Sequence, residues 1–447
     1  MSFVKYPAYK DSGVAWLGEV PGHWEVKRLR HVATLNPSKS ELADVSRDTE
    51  VSFLPMEAVG DDGTLSLDRT RHIAEVESGY TYFREGDVTI AKITPCFENG
   101  KGAVMRGLHG GCGFGTTELI VTRPSAGKAT SDYLHLLFTS HPFRQLGEAS
   151  MYGAGGQKRV PDDFVRDFSV AFPPLAEQTA IATFLDRETA KIDALVAEQQ
   201  KLIALLQEKR QAVASHAVTK GLNPHAPMKD SGVEWLGEVP GHWEVRRVRN
   251  LSSFLTSGPR GWSERISEAG AKFIQSGDLT DDLSIAFDEA KRVAVVDDAE
   301  AARTKLVDGD VVVCITGAKT GNVAICGVVS EDAYVNQHLC LIRPRPETLP
   351  DFLAIYLKSD AGQRYFAVAQ YGLKQGMSLE NIRETPVPLP PLHEQRQIVD
   401  IVRSETASVG TLINEARTAI TLLQERRTAL ISAAVTGQID VRGLAAH

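Results

Sequence analysis

Two long stretches of the chain carry the hydrophobic pattern of helices. Residues 177–218 contain neither proline nor glycine and are rich in alanine, leucine, glutamate, glutamine and lysine, which is typical of one continuous helix. Apolar residues recur along it at intervals of three, four or seven, and a matching series precedes Gly437. The two predicted seams consist of Leu185, Ile192, Leu195, Leu202, Leu206 and Val213, and of Val402, Val409, Leu412, Leu423 and Leu430.

A helix of about forty residues is a rod roughly 60 Å long, and a narrow apolar seam along it needs an equally long partner. The second stretch supplies that partner within the same chain. The pattern therefore predicts two long helices packed as an antiparallel coiled coil. The alternative is that each is an ordinary amphipathic helix, buried on its own domain.

Short β-branched segments separated by glycine, asparagine and aspartate precede each long helix, which indicates strands and turns. They are VSFLPM from Val51, YTYFREGDVTIAKIT from Tyr80 and ELIVTRP from Glu118, then KFIQSGDL from Lys272, DVVVCITGAKTGNVAICGV from Asp310 and HLCLIRP from His338. Residues 131–147 and 351–370 each have the pattern of one amphipathic helix. We therefore expect an α+β protein with two mixed, β-rich domains.

The chain repeats itself. Residues 10–30, KDSGVAWLGEVPGHWEVKRLR, are identical to residues 229–249 at 18 of 21 positions. Each half later contains P-P-L-x-E-Q, from Pro173 and from Pro390, and then LLQEKR or LLQERR. The repeats predict a framework segment (1–22), a variable domain (23–174), a long helix (175–221), a linker with the repeated framework (222–241), a second variable domain (242–391), a second long helix (392–437) and a tail (438–447).

Composition limits where partners can bind. Lysine and arginine number 49 against 57 aspartates and glutamates, a net charge of -8, so any surface for nucleic acid must be local. The five cysteines form no C-x-x-C pair, which argues against a zinc ribbon or a disulfide framework. No run approaches the roughly 20 apolar residues of a membrane span, and the N-terminus lacks an apolar signal-peptide core. We expect a cytoplasmic protein that binds no membrane.

No motif predicts catalysis. GCGFGT from Gly111 lacks the third glycine of a dinucleotide fingerprint, and neither GAGGQK from Gly153 nor GAKTG from Gly317 fits a phosphate loop. The twelve histidines show no H-E-x-x-H or similar spacing, so no metal site is predicted either. His23 and His242, within the repeated PGHWE segments, are interpreted as framework residues that lie beside Trp24 and Trp243.

Four landmarks thus recur in the same order in both halves: W-L-G-x-V-P-x-H-W-E, a divergent β-rich domain, P-P-L-x-E-Q and a long helix with LLQE-[KR]-R. In these features the chain, from Lys10 to Gly437, resembles the DNA-specificity subunit of type I restriction-modification systems. The resemblance implies that each variable domain is a target-recognition domain that reads one half of a split, asymmetric sequence in double-stranded DNA. It also implies that the paired helices set the spacing between the half-sites, about one helical turn of DNA.

The resemblance further implies partners. The helices and framework would dock two modification subunits, which are adenine-N6 methyltransferases, and restriction subunits with motor and nuclease activity would join them. This chain would bind no cofactor and catalyse nothing; S-adenosylmethionine, ATP and magnesium are expected on the partner subunits. The acidic net charge departs from what DNA binding suggests, so the phosphates of DNA must be contacted by local clusters of basic residues.

Base reading needs polar or basic side chains on exposed loops. In the first variable domain the candidates are Arg69, Arg71, His72, Lys92, Thr94, Lys101, Gln157, Lys158 and Arg159. In the second they are Arg260, Lys319, Thr320, Asn322, Asn336, Gln337, Lys374 and Gln375. Gln157 and Lys158 are expected to correspond to Lys374 and Gln375, and Lys101 to Thr320.

Two rival functions stay open at this point. The chain could be a scaffold whose variable domains bind protein or glycan surfaces while the coiled coil spaces them, or a distant enzyme whose site has no known motif. Concave basic patches on both domains favour DNA, whereas scattered acidic surfaces favour the scaffold.

Overall fold

The computed structural model describes residues 4–154, 156–370 and 376–444. The chain forms two compact units: residues 1–199 with 418–447, and residues 200–417. Each unit combines β-sheets with helices, so the expected α+β class and the duplicated domain are confirmed. Each long helix contributes one end to each unit.

The first unit contains two four-stranded sheets, in the orders β6-β5-β10-β7 and β4-β11-β8-β9, within its described residues. Strands β1 to β12 are Tyr9–Asp11, Glu19–Pro21, Glu25–Arg28, Ala33–Leu35, Glu50–Leu54, Thr70–His72, Thr81–Arg84, Val88–Ala91, Gly102–Val104, Cys112–Gly115, Leu119–Pro124 and Ser169–Phe172. Helices α1 to α5 are Ile73–Val76, Ser131–Thr139, His141–Ser150, Asp162–Asp167 and Leu175–Lys220.

The second unit repeats this plan, with sheets in the orders β17-β19-β18-β22 and β16-β23-β20-β21 over the residues described there. Strands β13 to β24 are Met228–Asp230, Glu238–Pro240, Glu244–Arg247, Ser252–Ser257, Ile266–Ser267, Ala271–Ile274, Lys291–Val293, Val311–Cys314, Val323–Ile325, Ala333–Val335, Leu339–Pro344 and Pro386–Leu389. Helices α6 to α11 are Val248–Leu251, Ala299–Thr304, Pro350–Lys358, Asp360–Ala369, Leu379–Arg383 and Leu392–Val435.

Each predicted amphipathic helix is in fact a pair of helices, so that prediction is wrong in both units. The break falls at Ser140 and at Ser359, whose backbones are extended with ψ of 144° and 165°. Ser359 Oγ accepts a hydrogen bond from Gly362 N at 3.4 Å, and Pro142 lies in the first turn of the helix that follows Ser140. Serine before a helix and proline in its first turn both favour a new helix start.

The long helices α5 and α11 have 46 and 44 residues. Each is followed by a glycine with a left-handed backbone, Gly221 at φ +74° and Gly437 at φ +75°, which is a common way to end a helix. In the first unit, Arg427 Nε lies 3.0 Å from Asp193 Oδ1, and Leu185 shares a core with Leu430.

In the second unit, Leu206 of α5 packs with Val409 and Ile413 of α11, and Val218 shares a core with Ile398. Within each unit the residue numbers rise along one helix as they fall along the other, so the two helices pack antiparallel. Regular coiled-coil packing along the whole seam stays a prediction.

The predicted seam needs adjustment at three positions. Leu185, Ile192, Leu206, Val402, Val409 and Leu430 are buried, and Val213 and Leu423 are half-buried. In contrast, Leu195, Leu202 and Leu412 are 45%, 43% and 46% exposed. At the last two positions the contact is made one residue later, by Ile203 and Ile413. A helix of 3.6 residues per turn drifts away from a strict seven-residue repeat, which moves the contact to the next apolar residue.

The first P-P-L-x-E-Q motif contains a buried carboxylate. Glu177 Oε1 accepts hydrogen bonds from Tyr6 Oη at 2.7 Å and from Trp24 Nε1 at 3.1 Å. Its other oxygen lies 2.7 Å from His23 Nε2. The PGHWE segment is thereby fixed to the start of α5, and His23 has the framework role predicted for it.

The second motif repeats this arrangement. Glu394 Oε2 accepts from Trp243 Nε1 at 3.1 Å and lies 2.8 Å from His242 Nε2. The next residue anchors a loop in both units: Gln178 Nε2 donates to Pro173 O at 3.0 Å, and Gln395 Nε2 donates to Pro390 O at 2.9 Å. Both repeated motifs are therefore explained by the joint between a long helix and its framework.

His135 is expected to make the stability of the first unit depend on pH. The ring of His135 packs closely on Gly63, where an added Cβ would lie 2.9 Å from His135 Nε2. Burial lowers the pKa of His135 to about 4 from the usual 6.5. As the pH is lowered, His135 is therefore protonated in the unfolded chain before it is protonated in the folded chain. The stability that the neutral His135 contributes is complete above pH 6.5 and falls as the pH is lowered towards 4.

We predict that His135→Gln removes this part of the pH dependence. Urea unfolding at pH 7 and pH 5 measures it, with the exposed His225→Gln as the matched control. An unchanged difference between the two pH values in His135→Gln contradicts the prediction.

Candidate nucleic-acid interface

In the first unit, two loops meet where strand β8 ends. Val160 N donates to Lys92 O at 2.9 Å, and Thr94 N donates to Lys158 O at 3.0 Å. Arg159 forms isolated bridges with both Ile93 and Tyr152. Residues 92–94 and 158–160, which are far apart in the sequence, thus form one surface with Tyr152 where strand β8 leaves the sheet β4-β11-β8-β9.

A buried ion pair holds the start of the same strand. Asp87, 1% exposed, accepts from Arg123 Nε at 2.7 Å and Nη2 at 2.8 Å. The second unit repeats the pair, with Asp310 accepting from Arg343 Nε and Nη2 at 2.8 Å each. Bidentate pairs of this kind fix geometry as well as charge, so the strand that leads to the loops starts from a rigid point in both units.

Several candidate side chains are already engaged within the protein. Arg159 donates to both carboxylate oxygens of Glu118, at 2.9 and 2.7 Å, and this hydrogen bonding lowers the pKa of Glu118. Lys101 Nζ donates to Met56 O at 3.2 Å, and Thr94 Oγ1 donates to Lys158 O at 3.3 Å. These three hold the loops together and have less freedom to reach a ligand.

Other candidates of the first unit are exposed. Gln157 and Lys158 are exposed at the loop surface, and Lys92 is half-buried beside them. Arg69 lies 3.1 Å from Glu57, next to the turn that Lys101 contacts. Arg71 and His72 lie on β6, at the edge of the other sheet.

There the Arg71 guanidinium is 5.7 Å from the ring centre of Phe53, and His72 Nδ1 is 2.8 Å from Asp48 O. The structure therefore does not bring Arg71 and His72 to the loops at the end of β8.

The second unit joins two segments in the same way at the end of β20, in its described residues 315–316 and 376–377. Met377 N donates to Ile315 O at 2.8 Å, as Val160 does to Lys92 in the first unit, and Thr316 forms a bridge with Gly376. Lys374 and Gln375, the expected counterparts of Gln157 and Lys158, lie outside the described residues.

Lys319 and Thr320 lie on this second surface. Lys319 Nζ donates to Gly277 O at 3.2 Å, and Thr320 Oγ1 donates to Gly317 O at 2.6 Å. Arg260 is exposed, and Gln337 is half-buried with Nε2 3.2 Å from His338 Nε2. The exposed Lys319 therefore lies in the loop that follows β20 in this unit too.

Asn322 and Asn336 are exceptions, because they are only 8% and 4% exposed. Asn322 Nδ2 donates to Leu279 O, and Asn336 Oδ1 accepts from His338 N, both at 3.0 Å. Their amides fix neighbouring loops and are not presented to a ligand. A sequence cannot distinguish such buried amides from exposed ones in a turn-rich segment.

The expected correspondence of Lys101 with Thr320 is also corrected. Ala91 N donates to Lys101 O in the first unit, and Cys314 N donates to Asn322 O in the second, each at 2.8 Å. Lys101 therefore corresponds to Asn322. The segment between Ala91 and Lys101 is two residues longer than the segment between Cys314 and Asn322, which shifts the alignment of the two halves by two residues.

Sequence reasoning missed Lys358, which lies at the end of α8. Its Nζ donates to Asn322 Oδ1 at 2.5 Å, and burial lowers the pKa of Lys358. With Lys319 and Thr320 it lines a cavity of about 450 Å³ that also contains Asp281. A lysine at the end of an otherwise apolar helix was the available signal.

The repeated basic residues after PGHWE are paired with carboxylates. Arg28 and Arg30 lie next to Asp167, and Arg247 and Arg249 lie next to Glu384. This equal pairing in both units explains why these residues recur.

The described part of the chain offers neither a cluster of metal ligands nor a long apolar helix. No three histidine, cysteine, aspartate or glutamate side chains there lie together so as to hold a metal ion. None of the described helices combines the length and apolar character needed to cross a membrane.

The family model described as "Type I restriction modification DNA specificity domain" matches residues 21–204 and 240–420. The chain is 41% identical over 189 residues to the type I restriction enzyme EcoEI specificity subunit of Escherichia coli, which is 42% of this chain and 31% of that protein. It therefore spans about a third of the length of that relative. The putative type I restriction enzyme MjaX specificity subunit of Methanocaldococcus jannaschii is 21% identical over 459 residues, 99% of each chain.

A solved structure from a study of complex assembly and conformational transition of the type I R-M system has the same fold. Its TM-score is 0.73 with 18% identity, over 93% of this chain and 98% of that one. The family model matches both halves of the chain, in the same two blocks that carry the repeated loops and helices. The chain therefore belongs to the family of type I restriction-modification DNA specificity domains.

Proposed function

We propose that this chain is the non-catalytic subunit that selects the DNA sequence for a type I restriction-modification complex. The observation that carries the proposal is the repeated surface: the same two loops meet at the same strand end in both units, with different side chains. Lys92, Gln157 and Lys158 belong to one surface, and Lys319 and Thr320 lie in the loop that follows β20 in the other unit. A constant scaffold with two different surfaces suits a target of two unlike half-sites.

The partners follow from the exposed parts of the long helices. In the second unit Leu202, Leu205 and Leu412 are exposed on helices that already share a buried apolar contact. Leu202 and Leu205 are three residues apart on α5 and so share one helix face, and neighbouring exposed apolar residues are typical of a surface that binds another protein. We assign this surface to the modification subunits, which would carry S-adenosylmethionine and methylate adenine-N6 in each half-site. Restriction subunits with ATP and magnesium would join the assembly.

The scaffold alternative makes a different prediction about DNA. A complex of this chain with its modification subunits, incubated with a random-sequence duplex library, is expected to enrich two short fixed blocks separated by an unread spacer of constant length. A protein- or glycan-binding scaffold enriches no sequence. Sequencing of the retained duplexes separates the two.

Lys158 provides a test of the interface itself. Lys158→Ala is expected to weaken binding of the complex to its own target severalfold and to all duplexes alike, because a phosphate contact carries no sequence information. The slope of log affinity against log salt should fall by about one unit in magnitude. Lys128→Ala is the matched control, since Lys128 is also exposed and its Nζ donates to His31 O at 3.0 Å. An unchanged salt slope in Lys158→Ala removes Lys158 from the interface.

A further inference from the structure

Tyr152 displays its ring to solvent on the loop that contains Lys158. It is 65% exposed, more than any other phenylalanine, tyrosine or tryptophan in the described part of the chain. Its backbone is nevertheless fixed: Tyr152 N donates to Arg159 O at 3.2 Å, and Arg159 N donates to Tyr152 O at 2.9 Å. Glu118 holds the Arg159 side chain in turn. The aromatic ring of Tyr152 is thus exposed to solvent, while its backbone is held by two hydrogen bonds to Arg159.

The chain after Tyr152 folds back tightly. Gly153 has φ of +133°, and a Cβ there would lie 2.7 Å from Gln157 O, so a side chain at this position is excluded by both backbone and space. This return places the exposed Gln157 and Lys158 near the tyrosine. The sequence of the second half repeats Tyr-Gly at Tyr371 and Gly372, which lie outside the described residues.

We propose that Tyr152 is a positioning residue that stacks on a base of the first half-site and opens the base stack there. Exposed aromatic rings beside lysine and glutamine suit this contact, because every base offers a flat face and the cation meets the adjacent phosphate. Side chains that enter a base step partly unstack it. Methylation of adenine requires the base to leave the stack, so a ring on the specificity subunit would lower the cost of that step. This proposal rests on the proposed function.

The test uses the full chain assembled with its modification subunits and the duplex that the wild-type complex enriches. 2-Aminopurine replaces single bases in each half-site, and its fluorescence rises when the base is unstacked. The wild-type complex should give a rise at one position in the first half-site. Tyr152→Ala should reduce that rise severalfold and weaken binding about tenfold, while Tyr152→Phe should retain both.

The controls separate this proposal from the function beneath it. Signals from the second half-site should be the same in wild type and Tyr152→Ala. Tyr80→Ala, which removes an exposed ring packed 5.1 Å from Phe53, should behave as wild type. Equal fluorescence and affinity in Tyr152→Ala and wild type overturn the proposal while the proposed function stands.

Two other results also count against the stacking role. Loss of the modification subunits from Tyr152→Ala on size-exclusion chromatography, with fluorescence of the assembled fraction unchanged, would make the ring a protein contact. If the wild-type complex enriches no duplex, the proposed function fails and this proposal fails with it.

Discussion

Replacing Glu177 with alanine is expected to destabilise the first unit by roughly 2–6 kcal/mol, because two buried donors lose their acceptor at about 1–3 kcal/mol each. Those donors are Tyr6 Oη and Trp24 Nε1, and His23 loses its partner as well. Native-state hydrogen exchange measures the change locally, which matters because a chain of two units need not unfold in one step.

The second unit supplies the matched comparison. Glu394→Ala removes the acceptor of Trp243 and the partner of His242, so a smaller loss, roughly 1–3 kcal/mol, is expected in the second unit. Glu177→Gln keeps an oxygen for both donors and should retain most of the stability. Equal losses for Glu177→Ala and Glu177→Gln would show that the hydrogen bonds to Glu177 contribute little.

Lengthening both long helices is expected to change the target without changing the half-sites. Seven residues inserted after Gln199 and seven after Arg417 add about 10 Å to each helix at 1.5 Å per residue, and seven residues approximately preserve the seam. The unread spacer should grow by one to three base pairs, depending on the inclination of the helices to the DNA. Original targets should no longer be methylated.

Methylation of plasmids that carry the half-sites at graded spacings measures this effect. A seven-residue insertion between Asn223 and Pro224, outside both helices, is the matched control and should leave the spacing unchanged. An altered half-site in the lengthened variant, or an unaltered spacing, would contradict the idea that the helices set the spacing between the half-sites.

The repeats and the long helices could be predicted because their signals are local. Helix α5 spans Leu175–Lys220 where residues 175–221 were expected, and α11 spans Leu392–Val435 where 392–437 were expected. For α5 the absence of proline and glycine, followed by Gly221, is sufficient, whereas α11 continues through Gly410 to end before Gly437. The pairing of the two helices was predicted from the length of the seam.

Other features depend on contacts between distant parts of the chain. Ser140 and Ser359 divide helices whose apolar pattern continues on both sides of the break. A serine is compatible with both a helix interior and a cap, so only the first break had a local signal, which was Pro142. Ile203 and Ile413 take over the seam from Leu202 and Leu412 because the helix period and the seven-residue repeat differ.

The candidate interface was predicted less well than the fold. Lys158 and Lys319 lie at corresponding strand ends, but Arg159 is held by Glu118, and Asn322 is buried beneath its loop. A list of polar residues cannot tell which side chains stabilise the loops and which extend to a ligand. That distinction needs the hydrogen bonds of the folded chain.

The most direct measurement is a map of N6-methyladenine over the genome, made by single-molecule sequencing with and without this gene. The proposed function predicts that deletion of the gene abolishes methylation at one split, asymmetric motif. Returning the gene should restore that methylation. Methylation that is the same with and without the gene, in cells that express the modification subunits, would contradict it.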